Sequence, residues 1–181
     1  MATFGSQSTD NVYDLPMSSG NWLAVKYTLS EAADVSSASF RAKYVSAAQA
    51  FRVAIFEDAG GSIMGNLVFI TAEFVVTSAM TAYAWRTANR YGGGVSTLSP
   101  ADYWIMLWPG STGEGANVPL VAWSGVPAAW KDGETYSATG NPTTPMTGEA
   151  TTTYGPALYA TYTVPAAGIS IPLLNHLLLG D

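Results

Sequence analysis

The chain reads as all-β: an antiparallel β-sandwich of about eight strands, with an extended segment at each end. Three observations predict this. Apolar residues recur at every second position in several stretches, the period of a half-buried strand. Clusters of Gly, Pro, Asn, Asp and Ser separate those stretches at short intervals. No run carries the helical periodicity that the crossovers of a parallel α/β fold require.

Residues 1–20 are polar and aperiodic, closed by Pro16 and Gly20, and read as an N-terminal arm. Residues 21–164 carry the sandwich. Trp22–Leu29 is its first strand. In Phe40–Tyr44, Arg41 and Lys43 share one face while Phe40, Ala42 and Tyr44 share the other, as a half-buried antiparallel strand requires. The alanines of 36–50 would suit a helix, but the serine pairs and the alternation around Phe40 favour extended chain. Phe51–Phe56 repeats the pattern, with Phe51, Val53 and Ile55 on one face, and runs into the turn Glu57-Asp58-Ala59-Gly60-Gly61.

Leu67–Thr77 is one long β-branched and aromatic run. Thr81–Thr87 places Tyr83 and Trp85 at i, i+2 and precedes the loop Gly92-Gly93-Gly94. Tyr103–Trp108 is apolar on both faces and is expected as a central strand, stopped by Pro109. Leu120–Trp123 follows a Gly-rich loop. The Gly/Pro/Thr-rich stretch 127–153 is expected to hold at most one short strand, around Glu134–Ala138. Ala157–Val164 is the last strand, ended by Pro165.

The final segment, 165–181, is an apolar C-terminal arm or short helix. Ile169, Ile171, Leu173, Leu174, Leu177 and Leu178 lie in it and are the expected assembly interface. Pro172 suits a first helical position and Gly180 a C-cap. The segment is too short to span a bilayer.

Composition narrows the function classes. Charged residues make up 11% of the chain, against roughly 25% in an ordinary soluble domain. The surface must therefore be largely Ser, Thr, Ala, Gly, Tyr and Trp, which suits contact with other subunits or with neutral ligands. The net charge of −6 and the dispersal of the seven basic residues argue against nucleic acid. With no cysteine, disulfides and thiolate metal sites are excluded. Met1–Ser6 has neither the basic nor the apolar region of a signal peptide, so synthesis in the cytosol is expected. No stretch offers the roughly 18 uninterrupted apolar residues of a spanning helix, so no membrane insertion is expected.

His176 is the only histidine, which removes most triad and zinc-site arrangements. Its leucine-rich surroundings favour a structural or interface role. Glu57, Asp58, Asp102, Asp132 and Glu134 all occupy turn positions, and no acidic loop has EF-hand spacing. The triple glycine lacks both the P-loop lysine and the dinucleotide-binding spacing. No catalytic residue, no cofactor and no metal site is assigned.

Aromatics are the stronger candidates. Trp85, Trp104 and Trp123 lie within strands and are expected in the core. Trp108 and Trp130, at strand ends, and Tyr91 are candidates for glycan stacking, because Trp and Tyr combine an apolar face with a polar edge.

Ser37-Ala38-Ser39-Phe40, Phe51–Asp58 with Gly60-Gly61, and Tyr103-Trp104-Ile105-Met106-Leu107 follow one another in an order that resembles a jelly-roll module of viral structural proteins and microbial surface proteins. The resemblance covers less than half the chain and its motifs are structural. It implies a jelly-roll-like two-sheet sandwich used for assembly or glycan contact, and transfers no catalytic residue. The leading expectation is a non-catalytic, bacteriophage-type virion protein, a capsid decoration protein or a tail or fibre component. Such a protein would be made in the host cytoplasm and would assemble with itself and with other virion proteins. The alternatives are a carbohydrate-binding module of a fibre tip or cell surface, and a repeating subunit of a filament or surface layer.

Overall fold

The structure is a computed structural model that describes residues 1–10, 13–17, 21–110, 115–122, 128–131, 136–142, 146–148, 150–152 and 154–166. Sixteen strands and no helix occur among them. In chain order they are β1 (Ala2–Gly5), β2 (Tyr13–Met17), β3 (Trp22–Leu29), β4 (Ala33–Tyr44), β5 (Gln49–Asp58), β6 (Ile63–Ile70), β7 (Phe74–Val76) and β8 (Ala84–Asn89). There follow β9 (Ser96–Leu98), β10 (Ala101–Gly110), β11 (Ala116–Ala122), β12 (Ala128–Lys131), β13 (Met146–Thr147), β14 (Ala150–Thr152), β15 (Tyr154–Pro156) and β16 (Leu158–Thr163).

They form two eight-stranded sheets. Sheet I runs β1-β16-β4-β11-β15, with β2 on β11 and both β8 and β9 on β4. Sheet II runs β13-β6-β5-β10-β3-β12-β14, with β7 on β5. Every ladder is antiparallel, and the two sheets pack into the β-sandwich that the alternation predicts.

The core between the sheets follows from the period of two. In sheet II, Phe51, Val53 and Ile55 of β5 and Tyr103, Ile105 and Leu107 of β10 point inward. They meet Val35, Ala38 and Phe40 of β4 and Leu158, Ala160 and Tyr162 of β16. Phe40 and Phe51 touch across the interface with ring centroids 5.0 Å apart.

Sheet II also buries its outer face. There Trp104, Met106 and Trp108 of β10 join Trp22 and Ala24 of β3, Ala54 and Phe56 of β5, Met64 and Ile70 of β6, and Met146 of β13. The cover comes from the stretch after β12. Met146 is buried in this second cluster, and the ring of Tyr136 lies 5.1 Å from that of Trp108. The same ring leaves no room for a Cβ at Gly110. A strap formed by 136–142 thus lies over sheet II, which explains why Tyr103–Trp108 is apolar on both faces.

Several boundaries differ from the sequence reading. The run 67–77 breaks at Thr71, whose Oγ1 accepts the N–H of Val53 at 2.9 Å while Ala72 N–H donates to Asn89 at 2.8 Å. The chain there touches β8 of sheet I before β7 resumes the pairing with β5 in sheet II. Pro109 does not stop its strand. It pairs with Phe51 of β5, at a level where the ladder with β3 has already ended at Leu107–Leu23. A residue without an N–H is tolerated where one flank is open. The stretch 127–153 holds β12, β13 and β14, each two to four residues long, while Tyr136, Ser137 and Ala138 are not in a strand.

Residues 1–20, expected as an arm, supply two strands of the sandwich itself. β1 pairs with β16 from Ala2–Tyr162 to Gly5–Tyr159, and β2 pairs with β11 from Met17–Ala116 to Tyr13–Leu120. Segment 167–181 lies outside the described residues.

Candidate functional site

The eight carboxylates among the described residues are all engaged. Asp14 binds Lys43 at 2.7 Å, Asp34 accepts from Thr97 at 2.6 Å, and Asp102 accepts from Thr28 at 2.6 Å. Glu31 accepts from Tyr162 at 2.9 Å, Glu57 from Asn66 at 2.7 Å, and Glu73 from Tyr136 at 2.7 Å. Asp10 accepts from Ser8 at 3.1 Å, and Asp58 from Lys26, Trp104 and Gly60 at 2.9, 2.9 and 3.2 Å. No group of three or more His, Cys, Asp or Glu among the described residues could hold a metal ion. No helix among them is long and apolar enough to cross a membrane. His176, Asp132 and Glu134 lie outside the described residues.

Arg52 organises the outer face of sheet II. It faces Trp108 in the β5–β10 register and is fully buried. Its Nε donates to Thr71 O at 2.8 Å, and its Nη1 donates to Ser137 O at 3.0 Å and to Gly140 O. The guanidinium therefore ties β5 to the strap. Burial pulls its pKa down, against the opposing influence of Tyr136, Tyr91 and Glu73. Its Nη2 and the indole N–H groups of Trp22 and Trp108 are buried with no hydrogen-bond partner among the described residues.

The other face of this assembly opens to solvent. The Arg52 guanidinium lies 5.0 Å from the centroid of the Tyr91 ring, and Tyr91 is 42% exposed. Beside Tyr91 runs a groove of about 260 Å³, lined by Leu67, Val68, Phe69, Ile70, Arg90, Tyr91 and Asn141. Tyr91 N–H donates to Ile70 O of β6 at 2.8 Å, and Arg90 N–H donates to Ser36 O of β4 at 2.9 Å. These two residues therefore bridge both sheets at their seam. The Arg90 side chain is held by Ser96 Oγ at 2.9 Å and Gly93 O at 2.6 Å. The turn that makes the latter contact possible has φ of 79°, 74° and 71° at Gly92, Gly93 and Gly94, a conformation three successive side chains would resist.

Of the stacking candidates, Tyr91 alone is shown with an open ring. Trp108, expected at an exposed strand end, is not available for stacking. It is fully buried, because its strand position turns it to the outer face of sheet II, beneath Tyr136. Trp130 is placed in β12, opposite Leu23 of β3 and Ala150 of β14. Ile169, Ile171, Leu173, Leu174, Leu177 and Leu178 lie outside the described residues, as does Trp123. Trp104 is in the core as expected, whereas Trp85 is half-buried and meets Tyr159 edge-on with centroids 4.7 Å apart.

Sequence reasoning missed Arg52, Arg90 and Asn141. Alternation placed Arg52 on the face opposite Phe51 but gave no sign that this face is covered. Neither protein-family models nor curated proteins give a match to the sequence.

Proposed function

We propose that the chain is a non-catalytic structural protein of a virion, a capsid decoration protein or a tail or fibre component. It would assemble with copies of itself and with other virion proteins. The observation that carries the non-catalytic part is the engagement of the carboxylates. Each of the eight described ones accepts a hydrogen bond within the fold, most of them linking one strand or turn to another. General acid or base work needs a carboxyl group directed at a substrate. Here the few charges serve cohesion, leaving faces of neutral Ser, Thr, Ala and Tyr for packing against neighbours. The viral assignment rests on the jelly-roll resemblance of 36–108.

Sedimentation of the purified protein tests this reading, with the full chain compared to a chain lacking 166–181. The full chain should form oligomers. The truncated chain should be monomeric with the β-sheet circular dichroism of the parent. A monomeric full chain, or assembly unchanged by truncation, would overturn the proposal.

A second reading, a carbohydrate-binding module, is supported by one observation: the exposed ring of Tyr91, backed by Arg52, beside an open groove.

A further inference from the structure

We infer that the groove between Leu67–Ile70 and the Arg90–Tyr91 turn binds the terminal ring of a neutral saccharide. The inference rests on the carbohydrate-binding reading and names its site and ligand class. Tyr91 is the stacking platform, and Arg90 and Asn141 are the hydroxyl ligands.

The platform is braced from behind before any ligand arrives. Arg52, which lies outside the groove's lining, backs the Tyr91 ring at 5.0 Å and is itself fixed by three carbonyl oxygens. The Tyr91 backbone is tied to Ile70 and that of Arg90 to Ser36. These contacts position the ring in advance, which reduces an ordering cost that otherwise weakens association. An exposed aromatic ring next to a few oriented polar groups matches a sugar, whose C–H face is apolar and whose rim carries hydroxyls.

Size and charge narrow the class. At about 260 Å³ the groove falls just below the roughly 300–1,000 Å³ of sites that enclose drug-sized ligands, so it suits a single ring at a chain end. Arg90 is the only charged residue of the lining among the described residues, and two of its five N–H donors already serve Ser96 and Gly93. The remaining donors can bond hydroxyl oxygens, and Asn141 brings both a donor and an acceptor. A single committed arginine in a chain of net charge −6 is a poor host for a polyanion.

The test is an array of glucose-, galactose- and N-acetylglucosamine-terminated oligosaccharides alongside sialylated and sulfated ones. Any hit is then titrated into the full-length protein by NMR. A neutral sugar should bind and shift the amides of Leu67–Ile70, Arg90 and Tyr91. Tyr91→Ala should weaken binding about ten-fold or more, and Tyr91→Phe should retain it. Asn141→Ala, at an exposed position, should weaken binding several-fold without loss of folding, and it decides the matter if Tyr91→Ala does not fold. Binding that maps elsewhere, or that survives these substitutions, would overturn the site while leaving the carbohydrate reading intact. Preference for the anionic glycans would overturn the ligand class. Silence across the whole array would overturn the site and the reading together.

Discussion

The Nζ of Lys26 on β3 lies 2.9 Å from Oδ2 of Asp58 on β5, and the pair spans Trp104 of the intervening β10. The Trp104 ring centroid is 5.0 Å from the ammonium, and the indole N–H donates to the other carboxylate oxygen at 2.9 Å. One acid thus joins three adjacent strands at the end of the second core. The Lys26 and Asp58 side chains are only 16% and 17% exposed, so the contact is less screened than a surface ion pair.

This joint sets an acid limit to stability. Burial alone would raise the Asp58 pKa, but the hydrogen bonds from Lys26, Trp104 and Gly60 prevail and hold it below the usual carboxylate range. A depressed folded-state pKa gives stability that is present above the unfolded value, about 3.9 for Asp, and is lost as pH falls below it. Denaturant unfolding at stepped pH should show stability falling from about pH 4 downward. Asp58→Asn should remove about 1.5–3 kcal/mol at neutral pH and flatten that acid slope.

Arg52 should decide how well the strap is held. Arg52→Met leaves the carbonyls of Thr71, Ser137 and Gly140 without their donor and should cost roughly 3 kcal/mol. Arg52→Lys should recover only part of this, since an ammonium cannot reproduce the planar fork. Hydrogen exchange reads the mechanism. Amides of 136–142 should lose protection more than those of β10, and a uniform loss would assign Arg52 to the sheet rather than the strap.

Gly5 governs the docking of β1. Its φ is +116°, and a Cβ built there would lie 2.5 Å from Leu158 O and 2.7 Å from Tyr159 Cα. Both the conformation and the space exclude a side chain. Gly5→Ala should free β1 from β16, lowering stability by more than about 1 kcal/mol and exposing Ala2–Gly5 to limited proteolysis.

The alkaline limit should come from tyrosines. Burial raises the pKa of Tyr27, and burial together with the hydrogen bond to Glu73 raises that of Tyr136. A raised folded-state pKa gives stability that is full below the unfolded value of about 10 and declines as pH rises beyond it. In an alkaline titration the last tyrosinate absorbance should appear together with loss of β-sheet signal, and Tyr136→Phe should reduce its amplitude.

The strongest strands were legible in the sequence because their pattern is local. Trp22–Leu29 begins and ends where the structure has it, and the two-faced apolar character of Tyr103–Trp108 marks a strand at the centre of its sheet. Strands of two to four residues, such as β13 and β14, are too short for periodicity to register. The covering of the outer face was illegible for a different reason. Arg52 meets the strap across 85 residues of sequence, and a period of two says which face a side chain takes but not what lies over it. The groove is assembled the same way, from β6, the turn after β8 and the strap, so among its residues only the aromatic Tyr91 stood out.

The antiparallel pairing of β1 with β16 has a mechanical consequence. Ala2 lies opposite Tyr162, so the first and last described strands of sheet I meet with the start of one beside the end of the other. Tension applied between Met1 and Val164 would pull those two strands apart crosswise, breaking their hydrogen bonds one rung after another instead of straining them all at once. A ladder loaded in this way yields at low force, and β1 would peel away first while the rest of sheet I remained folded.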